Sequence, residues 1–466
     1  MRRRTFLLGF LAAGLSERDG PEVTCGGNMN LNMADESKLD HQLLRELIFE
    51  VAIEGQKYPV GQPSPGLYRG EDYGWDPEFF THSLLAVGEQ NLAIRMLDGN
   101  AAKIKSAGYL PLVARWDSAQ HDFIWKLRTK GDPRFTAETQ QPLVAQTALR
   151  LLREEGLAKL GRERVRHWAE AGQTHLDWLR QNRRAPGRTL FSIIDPIESG
   201  EDSLSAWDEI AAEKGWPLLP RTLRIFWLPL KLNLDYTRMG WDLGKIFSNH
   251  GSVLIEPVSL NVFAIREARA LAVLWRKLGE NDRAKADEEL ASDLSTGLEK
   301  ELWNEPAGAY FPTARFATGW RQMPIFSVEN LYPLLLPNLP VGRVGKLVQL
   351  IEHQFVPGAK RLLPVAPVDP QHPQKVAGVI PIWWPGQVWA NCNWFFRDAL
   401  RYWSEKLDEP GQDSARKIAE RIDQDWYQLK QSAGYAEFYT QEGTGGAEKK
   451  FFWSCLRRAK FAIELR

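Results

Sequence analysis

A chain of 466 residues is long enough for one large core or for two or three domains. Lys plus Arg equals Asp plus Glu at 59 each, so no global field draws it to nucleic acid, an acidic partner or a membrane surface, and a neutral or weakly charged small substrate is expected. Three cysteines, Cys25, Cys392 and Cys455, and eight scattered histidines show neither a disulfide framework nor metal-ligand spacing, and no apolar run approaches a membrane span; no metal or cofactor is expected.

Arg2-Arg3-Arg4-Thr5-Phe6-Leu7-Leu8 followed by Gly9-Phe10-Leu11-Ala12-Ala13 resembles a twin-arginine export signal. Met33-Ala34-Asp35-Glu36 reads equally as a protein start. The first reading implies export and the second a cytoplasmic protein, and residues 1–35 stay outside the fold reasoning. From Leu39 onward the periodicity is helical. The pattern predicts helices over 39–57, 78–104, 138–155, 161–182, 222–235, 261–278, 281–303, 325–335, around 344–351, 388–407, around 415–429 and 450–465. In 261–278 the apolar stripe is Ala264, Ala268, Leu271, Trp275 and Leu278. Sustained β-alternation is not visible.

Between these helices lie long loops at 58–77, 106–135, 184–220, 304–324, 355–387 and 434–449, several rich in tryptophan and carboxylate. Loops of this length usually carry function. Helix pairs with alternating long loops suggest an all-α toroid, an inner ring wrapped by an outer one, with the loops gathered over one mouth. No fixed repeat and no linker divides the chain, so one domain over 36–466 is expected. Nineteen tryptophans, frequent from Trp75 to Trp453, suit sugar rings but also serve as bulk in helical cores.

The stretch Glu198-Ser199-Gly200-Glu201-Asp202-Ser203-Leu204-Ser205-Ala206-Trp207-Asp208 concentrates four carboxylates and a tryptophan. An acid raised in pKa by like-charged neighbours delivers a proton there; the alternative is a polar loop in which Ser203 or Asp202 caps the next helix. Around it, in chain order, stand Tyr73-Gly74-Trp75-Asp76, Thr139-Gln140-Gln141-Pro142, Trp383-Trp384-Pro385-Gly386-Gln387-Val388-Trp389 with Asn391, Glu437-Phe438-Tyr439, Gly443 and Phe452-Trp453-Ser454. Taken together, these blocks resemble glycoside hydrolase family 63, and within it the compact bacterial mannosylglycerate and glucosylglycerate hydrolases. The likeness runs from about Tyr73 to the C-terminus.

The resemblance implies an (α/α)6 barrel that hydrolyses an α-linked glucoside or mannoside with inversion. It implies Asp202 as general acid and Glu437 as general base, with Tyr73, Trp75, Asp76, Gln140, Glu198, Trp384 and Trp389 lining the sugar pocket. The chemistry is consistent with this: inversion needs a protonated carboxyl on the leaving oxygen and an ionised one activating water, about 6.5–9.5 Å apart. Asp76 has a second reading as a helix cap before Pro77, Trp384 and Trp389 as core, Gln140 as a loop brace, and Glu437 as a solvated charge with Glu442 as its rival. Where the family has Tyr-Trp-Arg-Gly-Pro, this chain has Trp383-Trp384-Pro385-Gly386-Gln387, so an arginine is missing; Glu201 and Ser203 also depart from the pattern around the acid. Two other classes remain on the same toroid: an epimerase or isomerase using His82, His121 or His175, and a non-catalytic sugar-binding protein.

Overall fold

The computed structural model describes residues 33–465 except 67, 201–209, 211–212, 216–220, 250–251, 358, 360, 362–374, 377–379, 382–386, 447 and 449. The protein is mostly helical. Among its helices are α1 Met33–Glu46, α2 Asp76–Ala86, α3 Gln90–Ala107, α4 Phe123–Arg128, α5 Val144–Glu155, α6 Arg162–Asn182, α7 Arg221–Arg238, α8 Val258–Lys277, α9 Asn281–Gly297, α10 Val341–Leu350, α11 Ala390–Ser404 and α12 Glu409–Ala433.

Two kinds of helix alternate. In α2, α8 and α11 nearly every side is buried, whereas α6 and α12 bury a single stripe. On α6 the stripe is Val165, Trp168, Ala169, Gly172, Leu176 and Leu179, and on α12 it is Ala415, Ile418, Ala419, Ile422, Trp426 and Leu429. Steps of three and four place such residues on one face. The packing follows from this difference: α3 lies on α2, α6 on α5, α9 on α8 and α12 on α11. The buried helices also touch in sequence. α2 packs on α5, α5 on α8, α8 on the 3₁₀ segment Val328–Leu335, that segment on α11, α11 on the 3₁₀ segment Phe452–Arg458, and this last one returns to α2. The largest core cluster accordingly runs from Leu43 to Ile463.

Several sequence expectations need correction. The helix expected over 39–57 ends at Glu46, and a hairpin follows, β1 Ile48–Ile53 with β2 Gln56–Gly61. Its two-residue turn places both Glu54 (φ 50°) and Gly55 (φ 82°) in the left-handed region, the conformation that joins twisted antiparallel strands. Val51, Ile53 and Val60 form a small buried cluster there, so β-branched residues overrode the helical period. The single helix expected over 78–104 is two, separated at Gly88 (φ 84°), and 450–465 holds only the 3₁₀ segment. Short antiparallel pairs also occur in the loops, so all-α is correct only as a description of the dominant structure. No helix among the described residues is long and apolar enough to cross a membrane.

The N-terminal helix is tied to the far end of the chain. Lys430 Nζ reaches Glu36 (2.9 Å) and Asp40 (2.5 Å), both buried, and Arg457 Nε, partly exposed, reaches Glu36 at 2.8 Å. Burial pushes the Glu36 carboxyl up, but Arg457 and Lys430 outweigh it and hold its pKa at about 2.

Candidate active site

The blocks singled out in the sequence meet where the loops cross. The strand β3 Glu71–Tyr73 pairs with β4 Val113–Arg115, and Gly74 N donates to Leu112 O at 2.8 Å while Leu112 N donates to Glu138 O at 2.9 Å. These bonds lay Tyr73–Asp76 beside Glu138–Gln141. A Cβ at Gly74 would stand 2.8 Å from Gln140 Oε1 and 3.0 Å from Pro111 O, so a side chain there would push both neighbours from this close approach. Trp75 N then donates to Gln140 Oε1 at 3.0 Å. Of the two readings of Gln140, the structure supports the brace.

Asp76 is the first residue of α2 and Pro77 follows, at a helix position where the missing N–H costs nothing. The Asp76 side chain does not cap the helix. Its Oδ1 accepts from Trp453 Nε1 at 3.2 Å, which joins the N-terminal block to the C-terminal one. Burial pushes the Asp76 carboxyl well above the usual range; the Trp453 N–H opposes this, and the negative charges of Asp72 and Glu437 add to it. Asp72 itself is paired with the equally buried Lys103 (2.7 Å).

Glu437 precedes the strand Phe438–Tyr439, which pairs with Val388–Trp389 on one side and Gly445–Gly446 on the other. Its carboxylate is 5 % exposed and its Oε1 accepts from Tyr68 OH at 2.7 Å. Tyr68 in turn packs edge-on against Tyr73 and Phe451. The Tyr73 hydroxyl donates to Glu71 at 2.9 Å. The tryptophans form the wall behind. Trp389 lies 5.5 Å and Trp75 6.4 Å from Trp453, ring centre to ring centre, and both are 2 % exposed. Both rings pack on Trp453, and for Trp389 this is the core position that the sequence also offered. Trp384 lies outside the described residues.

The mid-chain loop arrives on the same wall. Gly200 (φ 71°) sits against Trp75 so closely that a Cβ would stand 2.5 Å from the ring. Asp202, two residues further on, lies outside the described residues. Glu198 is fully enclosed, and its oxygens are taken by Arg183 Nη2 (2.6 Å), Thr139 N (3.0 Å) and Ile194 N (2.8 Å). The pocket-lining role expected for Glu198 does not fit this geometry, because the residue is fully buried and three internal donors hold its two oxygens. Behind it Asp195, held by Ile197 N (3.1 Å), and Glu138, held by Arg128 Nε (3.0 Å), complete a buried charge cluster; burial first and Glu138 second raise the Asp195 carboxyl well above its usual range.

The three histidines share no site. His82 faces Arg150 Nη1 at 2.5 Å and Thr147 at 3.4 Å. His175 accepts from Leu110 N at its Nδ1 and meets Gln140 O at its Nε2, both at 3.2 Å, and burial drives its pKa down to about 3. His121 stacks on Trp125 in a separate loop. Two further Trp-Asp pairs, Trp116-Asp117 and Trp241-Asp242, cap short helices: Asp117 accepts from Ala119 N and Asp242 from Lys245 N. Tyr68, Arg183 and Lys103 were not anticipated; Tyr68 sits in an aperiodic loop, and only proximity in space marks it.

Residues 74–454 match the family model described as the mannosylglycerate hydrolase MGH1-like glycoside hydrolase domain. The chain is 26 % identical over 373 residues to a mannosylglycerate hydrolase of Thermus thermophilus, covering 74 % of this chain and 83 % of that protein. Among solved structures, a family 63 mannosylglycerate hydrolase of Thermus thermophilus in complex with Tris superposes with a TM-score of 0.74 at 23 % identity, over 91 % of this chain and 98 % of the other. The neutral trehalase of Saccharomyces cerevisiae gives 0.57 at 14 % identity, over 91 % and 78 %.

Proposed function

The chain belongs to the MGH1-like glycoside hydrolases of family 63, and from that premise we propose that it hydrolyses a small α-mannoside or α-glucoside of the glycerate type with inversion at the anomeric carbon. The architecture we propose is an (α/α)6 barrel formed by one domain over 36–466, a reading supported by the circuit of contacts from α2 back to α2. Asp202 donates a proton to the glycosidic oxygen as the bond from C1 breaks. Glu437 takes a proton from water, whose oxygen attacks C1 from the opposite face, so the sugar leaves with the inverted configuration.

The observation that carries this reading is the convergence on Trp75 and Asp76 of blocks far apart in sequence: Gly200, just before Asp202, on one side and Trp453, beside the Glu437 strand, on the other. Tyr68 orients Glu437 and stabilises its charge through a hydrogen bond to an ionised acceptor. Asp76 binds sugar hydroxyls, and Gln140 holds the Trp75 backbone. The three separated histidines give the epimerase reading no support. The substrate class is read from the Thermus thermophilus relatives: one further solved structure is a complex with Tris and D-glycerate and another with glucose. Pro385, where the family has arginine, favours a neutral aglycone as the second reading.

The test is turnover of α-mannosylglycerate, α-glucosylglycerate and their neutral alkyl counterparts, with the first-formed anomer followed by proton NMR. Asp202→Asn and Glu437→Gln are each expected to lower kcat by about 10²–10⁴-fold. Undiminished turnover in either variant, or retention of configuration, removes the mechanism.

A further inference from the structure

Glu198 stands in the same motif as the proposed acid, but its contacts assign it another task. Arg183, at the C-terminal end of α6, is fully buried beneath the ring of Trp178, its guanidinium carbon 4.6 Å from the ring centre. Its Nη2 meets Glu198 Oε1 at 2.6 Å, and the same oxygen accepts from Thr139 N at 3.0 Å. The second oxygen accepts from Ile194 N at 2.8 Å. One carboxylate therefore joins three segments: the end of α6, the Thr139–Gln141 block, and the start of the Ile194–Gly200 loop. The loop is also fixed further along. Tyr236 OH donates to Ile194 O at 2.6 Å, Gln141 Nε2 to Ser199 O at 2.5 Å, and Gly200 rests on Trp75.

We propose that Glu198 and Arg183 form a positioning pair that sets the take-off point of the chain toward Asp202, and that Glu198 acts on the reaction through that loop and not by touching the sugar. This rests on the assignment of Asp202 as proton donor. The requirement is geometric. An amide in place of the carboxylate keeps the shape but must turn an N–H₂ toward either the Thr139 and Arg183 donors or the Ile194 donor, and a donor cannot bond a donor. The loop then shifts at one of its anchors, and general acid catalysis is sensitive to small displacements of the acid.

The experiment compares two leaving groups. Methyl α-D-mannoside and methyl α-D-glucoside need a proton on the departing oxygen, whereas α-D-mannosyl and α-D-glucosyl fluoride release fluoride without one. For Glu198→Gln, kcat on the methyl glycoside accepted is expected to fall about 10–100-fold with KM within about twofold, while turnover of the matching fluoride stays within about threefold of the parent. Arg183→Met should show the same pattern and Arg183→Lys a smaller deficit, because lysine restores a charge-assisted donor without the fork. The lysine variant is also the milder perturbation if the others fold poorly, and melting curves on all three establish that the parent fold is present. A rise in KM with kcat intact, equal losses on both leaving groups, or no loss at all overturns the positioning role. Asp202→Asn separates the two ideas. If it lacks the leaving-group dependence, the acid assignment fails on its own; if it has it and Glu198→Gln does not, only the pair is wrong.

Discussion

A single methyl group at Gly200 probes the site directly. The residue has φ 71°, and its added Cβ would press within 2.5 Å of the Trp75 ring. Gly200→Ala therefore meets both the left-handed backbone cost, about 1–2 kcal/mol, and a collision that moves the loop off its wall. Lower thermal stability and a loss in kcat exceeding any change in KM are expected, and a variant with parental kcat would contradict the close fit. At Tyr68 the change is chemical rather than steric. Tyr68→Phe keeps the edge-on contacts with Tyr73 and Phe451 and removes the hydroxyl on Glu437. Losing a hydrogen bond to a charged acceptor, about 1.5–3 kcal/mol, predicts a drop in kcat of about 10–100-fold; steady-state kinetics decide it. At this scale the sequence was informative about which residues to watch and silent about what each does. Asp76, Gln140, Glu198 and Glu437 all stood in recognisable blocks. What separates a brace from a ligand is the set of N–H groups opposite a side chain, and that depends on chain segments such as Ile194 and Arg183 whose approach no local pattern records.

The helices show a similar division. Long amphipathic stripes such as that of α12 were legible because one face must find a core. The hairpin β1–β2 was not, because Ile48, Phe49, Val51 and Ile53 satisfy a helical and a strand pattern equally over so short a run, and the left-handed turn at Glu54-Gly55 decides between them. The attachment of α1 could not be read either, since its partners lie almost four hundred residues away. That attachment makes a prediction at the scale of the element. Glu36 has its pKa lowered from 4.5 to about 2 by Arg457 and Lys430 against the opposing effect of burial. The folded state thus binds its proton more weakly than the unfolded one, so the contribution is complete above pH 4.5 and is lost as pH falls toward 2. Such a shift corresponds to about 3 kcal/mol as an upper figure. Glu36→Gln should lower the stability measured by urea unfolding at pH 7 by about 1–3 kcal/mol, with the difference from the parent shrinking below pH 4.5. A deficit that persists undiminished at pH 3 would mean that packing of α1, and not this charge, holds it.

Summed over the molecule, buried titratable groups set a stability optimum. Burial raises the carboxyls of Asp76, Glu78 and Asp195, takes Asp287 to about 6 and takes Glu267, which accepts from Ala145 N at 2.7 Å at the start of α5, to about 7. Each of these binds a proton more tightly when folded, so its contribution is present at low pH and is lost as pH rises through the folded value. The two buried histidines act in the opposite sense. Burial drives His82 well below 6.5 and His175 to about 3, so the unfolded chain takes up protons below pH 6.5 that the folded one refuses, and stability falls on acidification; Glu36 adds to that loss below 4.5. Above about pH 4.5 the five raised carboxyls outnumber the two histidines, so the net slope is downward with rising pH, and Glu267, whose loss runs from 4.5 to about 7, is alone capable of about 3 kcal/mol of it. Unfolding midpoints in urea between pH 3 and 9 should therefore pass through a maximum at about pH 4 and decline on both sides. Replacing Glu267 with glutamine removes its titration and should flatten the decline between about pH 4.5 and 7 specifically. A parent stability that keeps rising through pH 8 would show that these carboxyls relax into solvent on ionising instead of remaining enclosed where the circuit of helices closes over them.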